Sequence, residues 1–273
     1  MNLAFPVARP FGIRIRVHVV FVLMFGLLLG QTLWSHGAGV ALDTATRFAV
    51  LFACVILHEL GHSLAAQAKG IRVHDIVLWP LGGMARLERI PRDPATELKI
   101  AAAGPAVNFF LVLLLFPWML ARGEGRSLEP LALLGGSTLE FAFAVNLGMG
   151  IFNLVPAFPL DGGRILRALL ARHRRYDGAT RLAVRIGRVL AIGAVAASIG
   201  HPSFPIVVLL AAFVWWAGEH EQRQLDRPRP ETLREPTPGA RRFLDLSPPP
   251  APGPVEGGEP SPHADADERE RIG

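Results

Sequence analysis

Between Arg16 and Asp43 the chain carries no Asp, Glu, Lys or Arg, and Ile100–Ala121 and Phe141–Leu160 repeat that pattern. A bilayer-crossing helix needs roughly 20 mostly apolar residues. Val17 to Trp34 therefore reads as a first span, and residues 44–68 as a second. Residues 100–121 and 141–160 make a third and fourth. Leu182 to Ser198 and Phe204 to Gly218 make a fifth and sixth, separated by His201-Pro202-Ser203. The expected fold is an all-α polytopic membrane protein of about six transmembrane helices. Residues 71–87, with Pro80 and Gly82-Gly83 at a turn, add a short membrane-associated β-hairpin.

Composition agrees with this reading. Hydrophobic residues make up 51% of the 273 positions and charged residues 19%, below the roughly 25% usual in soluble domains. Cys54 is the only cysteine, which excludes an internal disulfide and a Cys-rich zinc finger. The net charge of +5 raises nucleic acid as a partner. Its placement favours a lipid bilayer instead, where basic residues report orientation, and no nucleic-acid partner is expected.

Arginine placement tests the span count. With the amino terminus in the cytoplasm, the inner segments 1–16, 69–99 and 161–188 hold most of the basic residues, including Arg9, Arg14, Arg16, Arg72, Arg86, Arg164 and Arg167. The outer connections hold Arg47, Arg122 and Arg126, offset by Glu124, Glu129 and Glu140. Both termini are thus expected in the cytoplasm. The first apolar run is too long for a cleaved signal sequence, and no small-residue cleavage site follows it.

From Arg227 onward the composition changes: eleven of the 23 prolines fall in the last 47 residues, with 7 basic and 9 acidic side chains. Such a segment cannot bury enough apolar surface to offset its chain entropy. Residues 1–226 are read as the membrane domain and 227–273 as a disordered Pro-rich cytoplasmic tail.

Ionisable groups at bilayer depth cost several kcal/mol and are functional candidates by default. The second span reads Val55-Ile56-Leu57-His58-Glu59-Leu60-Gly61-His62. His58 and His62 stand four apart, so on a helix their imidazoles share a face and can grip one ion. Glu59 is placed to take a proton from metal-activated water. A zinc hydrolase needs a third protein ligand. Asp161, in Asn153-Leu154-Val155-Pro156-Ala157-Phe158-Pro159-Leu160-Asp161-Gly162-Gly163-Arg164, is the candidate. On spacing alone the alternative reading is the amino-terminal cap of a helix. Pro156 and Pro159 break the fourth span, which lipid tolerates only where protein or a water-filled cavity shields the backbone. Gly162 and Gly163 permit close approach of another helix. Asn153 and Asn108 are amides at membrane depth, suited either to hydrogen-bonding a substrate or to joining helices. The hairpin offers an edge on which an unwound substrate could add as a strand, past Gly82 and Gly83.

HELGH at 58–62 together with NLVPAFPLDGGR at 153–164 resembles the site-2 protease family of intramembrane zinc metalloproteases. Gly12-Ile13-Arg14-Ile15-Arg16-Val17-His18, Leu81-Gly82-Gly83 and Ala103-Gly104-Pro105-Ala106-Val107-Asn108 extend the resemblance over most of residues 10–220. The resemblance implies a Zn2+ ion held by His58, His62 and Asp161, with Glu59 as catalytic base. It implies a metal partway down a cavity open to the cytoplasm, and the compact branch without PDZ or CBS domains. The substrate class it implies is a single-span membrane protein such as an anti-sigma factor or pro-sigma factor, in the bacterial plasma membrane. A membrane zinc transporter or a catalytically inactive membrane adaptor are the rival readings. Transport favours relay sites strung along a path, and an inactive adaptor has no use for a buried carboxylate base.

Overall fold

The computed structural model describes residues 3–80, 82–88, 91–125 and 130–226. The proposed tail, 227–273, lies outside them, as do Leu81, Arg89 and Arg126. The described chain runs β1 (Ala4–Ala8), β2 (Arg14–His18), α1 (Val19–Gln67), β3 (Val73–Trp79), β4 (Gly82–Leu87), α2 (Pro94–Ala121), α3 (Pro130–Gly135), α4 (Thr138–Asn153), α5 (Asp161–Leu170), α6 (Tyr176–Ala197) and α7 (Phe204–Asp226).

At 1.5 Å per residue, the 49 residues of α1 would reach about 74 Å if straight, more than twice a hydrocarbon core of about 30 Å. The helix folds back instead. Gly37, at φ 83° and ψ 176°, interrupts it with a conformation that only glycine adopts cheaply. Phe21 meets Phe52 at 4.4 Å and Phe25 meets Phe48 at 5.1 Å between ring centroids. Both pairings share a midpoint between His36 and Gly37, so α1 is an antiparallel hairpin of two helical arms. The first and second expected spans correspond to these arms.

By length and apolarity, α1, α2 and α7 qualify as membrane-crossing helices. The other expected spans look different. α4 is only 16 residues long, and α6 carries Arg181, Arg185 and Arg188. The expected fourth span, 141–160, ends early: α4 stops at Asn153 and an irregular turn leads to α5. Val155 precedes Pro156, and a residue before proline is disfavoured in helical conformation. The helices turn apolar side chains outward, with Leu27, Leu113 and Leu209 more than 70% exposed, a surface suited to lipid rather than water.

The expected two-stranded hairpin is part of a larger structure. A four-stranded sheet in the order β1-β2-β3-β4 includes two strands beyond the expected hairpin, Ala4–Ala8 and Arg14–His18. β2 pairs in parallel with β3, Ile15 opposite Ile76, while the outer pairs are antiparallel. Parallel strands need a crossover, and here the α1 hairpin supplies it. Ile13, Leu60 and Ile76 form one buried cluster, which pins the second arm of α1 to the sheet. The alternation Arg14-Ile15-Arg16-Val17 carries the period-2 signal of a strand. Its arginines instead invited a reading as a charged flank of the first span.

Candidate metal centre

The second arm of α1 and the first residue of α5 bring three side chains together. His58 Nε2 lies 3.2 Å from Asp161 Oδ2, His62 Nε2 lies 3.0 Å from the same oxygen, and the two Nε2 atoms are 3.1 Å apart. All three residues are buried. Among the described residues this is the single group of three or more His, Cys, Asp or Glu side chains with such convergence.

Hydrogen bonding fixes which imidazole nitrogens face inward. The Ala142 carbonyl can only accept, so the Asn146 amide nitrogen 2.8 Å away is its donor. Asn146 Oδ1 then accepts from Asn108 Nδ2 at 2.9 Å, which leaves Asn108 Oδ1 facing His58 Nδ1 at 2.6 Å. His58 must therefore carry its proton on Nδ1. The Ile100 carbonyl imposes the same tautomer on His62 at 2.7 Å. With both rings neutral, two nitrogen lone pairs and a carboxylate oxygen converge on one point. Among the described residues Asp161 Oδ2 has no hydrogen-bond partner, and a bound divalent cation would offset the cost of three converging buried acceptors. Tetrahedral zinc with bonds of about 2 Å would hold its ligand atoms about 3.3 Å apart, close to the separations found. The donor set of two imidazoles and one carboxylate suits zinc, and each imidazole has the outer hydrogen bond that metal-ligating histidines make.

Asp161 is not a helix cap. The capping position belongs to Leu160, no side chain caps the helix, and Asp161 is its first residue. Gly162 and Gly163 have a role other than the one expected. A Cβ on Gly162 would overlap the carbonyls of Leu154 and Val155. One on Gly163 would come within 2.7 Å of the Ala157–Phe158 backbone. They let α5 pack on its own incoming turn, not on another helix. Gly104 of α2 lies against both imidazoles, where any side chain would overlap them.

Glu59 is partly exposed and lines a cavity of about 650 Å³ together with His58, His62, Asp161, Asn153, Gly82 and Gly83. A Cβ on Gly83 would sit 2.7 Å from Glu59 Cγ, so β4 runs directly beside this carboxylate. Asn153 faces the cavity while its amide nitrogen bonds the Met149 carbonyl. Asn108 does not line the cavity. It is fully buried and makes the interhelical bonds already described, the second of the two roles considered for it.

Sequence reasoning missed two charge networks. Arg167, read as one of the basic residues that report orientation, is 2% exposed. It donates to Glu97 from Nε at 2.9 Å and Nη2 at 2.5 Å, and to Glu221 from Nη1. Phe158 and Tyr176 each lie 4.9 Å from its guanidinium. In the sheet, buried Asp75 accepts from Arg86 and from Arg16 at 3.2 Å. The Arg86 guanidinium, aided by Arg16, holds the Asp75 carboxyl below the usual carboxylate range. The available signal was chemical: Glu97 and Glu221 flank apolar segments and each needs a cation. His18 stacks on Trp79 at 3.9 Å and accepts from the Val20 amide.

A bundle of outward-apolar helices enclosing a buried two-histidine, one-carboxylate centre defines a membrane protein with a metal site of metallohydrolase type. The model of peptidase family M50 matches residues 46–124 and 132–194, and the chain belongs to that family, the site-2 proteases. A zinc metalloprotease of Methanocaldococcus jannaschii is 34% identical over 227 residues, covering 83% of this chain and 62% of that one. Stage IV sporulation protein FB of Bacillus subtilis is 31% identical over 133 residues, covering 48% and 43%. This chain thus spans about half the length of these curated relatives. The solved structure of the site-2 protease from Methanocaldococcus jannaschii matches with a TM-score of 0.55 and 32% identity, over 85% of this chain and 100% of that one.

Proposed function

We propose that this chain is a zinc-dependent intramembrane endopeptidase that cleaves a transmembrane segment of a single-span, membrane-tethered regulatory protein. His58, His62 and Asp161 are the zinc ligands and Glu59 the catalytic base. The observation that carries the reading is the buried convergence of two imidazole nitrogens and a carboxylate oxygen beside a cavity-facing carboxylate. The same observation weighs against a transporter, which needs more than one relay site.

Zinc supplies Lewis acidity, which lowers the pKa of water and polarises the scissile carbonyl. Glu59 takes the proton of the attacking water and delivers one to the departing amine. Asn108 and the Ile100 carbonyl hold the two imidazoles in the tautomer that ligation requires. The free edge of β4, at Gly82 and Gly83, accepts an unwound substrate as an added strand. Asn153 offers its amide oxygen to the freed substrate backbone. The protein crosses the bacterial plasma membrane six times, with both termini in the cytoplasm and residues 227–273 as a disordered tail outside the 1–226 catalytic domain.

The test is Glu59→Gln in purified protein reconstituted with a single-span reporter. Zinc content measured by elemental analysis should equal that of wild type while cleavage disappears. Undiminished cleavage would overturn the assignment of Glu59.

A further inference from the structure

A second cavity of about 680 Å³ adjoins the metal cavity, and its walls are cationic: Arg14, Arg86, Arg164 and Arg167 with His74. Two of these charges are already used. Arg86 pairs with Asp75, and Arg167 with Glu97 and Glu221. Arg14 and Arg164 make no ion pair among the described residues. The single acid in the wall, Glu221, is the one held by Arg167. An unbalanced positive wall in a concave site focuses field and favours an anionic occupant.

The two cavities are continuous in their lining. Ala85, Leu87, Pro159 and Arg164 border both. Ala85 and Leu87 belong to β4, the strand that passes Glu59 at Gly83. A substrate strand paired along β4 would therefore leave the metal cavity at Leu87 and enter the basic one. From Gly83 to Leu87, at about 3.3 Å per residue, the path is about 13 Å. The geometry points to a specificity site: the basic cavity receives Asp or Glu side chains of the substrate about four to six residues from the scissile peptide. This rests on the protease reading, and it adds a sequence requirement that the metal centre does not impose. A lipid phosphate is the other anion of the right charge. The shared wall favours the peptide, because Arg164 borders both cavities and Arg86 lies on β4 itself.

The experiment uses full-length Glu59→Gln protein in neutral detergent, so binding is read without hydrolysis. The probes are fluorescein-labelled peptides with one apolar transmembrane segment followed by either four Asp/Glu or four Gln residues. The acidic peptide should bind about tenfold tighter, and the ratio should fall towards 2 in 0.5 M NaCl, where exposed charges are screened. Arg14→Glu should bring the ratio to about 1, and Arg164→Gln should lower it in the same direction, with zinc content and melting temperature at wild-type values. Equal affinity for both peptides in the parent protein would overturn the inference. So would displacement of the acidic peptide by added phosphatidylglycerol whose own binding is lost in Arg14→Glu, since that assigns the cavity to lipid. Wild-type protein that cleaves neither peptide while keeping the binding ratio would count against the protease reading alone. Cleavage without a preference would count against this site alone.

Discussion

Replacing Arg167 with Met removes the cation from a site where Glu97 is fully buried. Arg167 supplies both charge-assisted bonds to Glu97 Oε1, while Glu97 Oε2 has no hydrogen-bond partner among the described residues. Breaking a buried pair by deleting one member costs about 3–5 kcal/mol, because the remaining charge is stranded. Loss of the stacking against Phe158 and Tyr176 adds about 1 kcal/mol, whereas partly exposed Glu221 recovers water and adds little. For a domain of this size such a loss lowers the melting temperature by roughly 10 °C. The informative comparison is with Arg167→Met/Glu97→Gln, which leaves no stranded charge and should recover most of the loss. Thermal unfolding in mixed micelles, followed by tryptophan fluorescence, should rank wild type and the double variant above Arg167→Met. A double variant as unstable as Arg167→Met would refute the stranded-charge account, and a single variant as stable as wild type would refute the clamp altogether.

Asn108→Ala leaves His58 Nδ1 and Asn146 Oδ1 without partners and should weaken zinc binding about 10- to 100-fold in a chelator competition; Asn108→Asp, which still accepts from Nδ1, should keep most of it. The Asp75 carboxyl is held below its ordinary range by Arg86 and Arg16, so its contribution to stability is complete above the unfolded carboxylate pKa and is lost as pH falls through the depressed folded value. Melting curves of wild type should therefore drop steeply in acid, below about pH 4, and Asp75→Asn should start lower at neutral pH and show a shallower acid limb.

What could be read in the sequence was local. His58, Glu59 and His62 lie within one turn of one helix, so spacing alone aligned them. Asp161 was legible as chemistry but ambiguous as geometry, because a carboxylate before Gly-Gly also suits a helix cap. Partners distant in sequence were not legible. Nothing local to Arg167 announces Glu97, 70 residues away, or Glu221, 54 residues away. The Asn146 amide that orients Asn108 was likewise hidden within an apolar helix. The sheet was half legible: only two residues separate β3 from β4 in sequence, whereas β2 reaches β3 only after the whole of α1.

The same distinction explains how the carboxylate can be held in place at all. Asp161 is delivered by an irregular turn rather than by a continuous helix, and irregular backbone in lipid must find its partners within the protein. The turn does so internally: Ala157 donates to the Val155 carbonyl, Leu160 to Ala157, and Gly163 to Leu160. These bonds order the turn but do not fix where it sits against α1. That task falls to the far end of α5, where Arg167 ties the helix to α2 through Glu97 and grips Phe158 of the incoming turn. α2 also carries Asn108, Gly104 and the Ile100 carbonyl, all of which touch the imidazoles. One helix therefore references both halves of the metal site, the histidines directly and the carboxylate through the clamp. Arg167→Met should then weaken zinc binding in the folded fraction even though residue 167 lies about 1.7 helical turns from Asp161, while the charge-silent double variant should weaken it less.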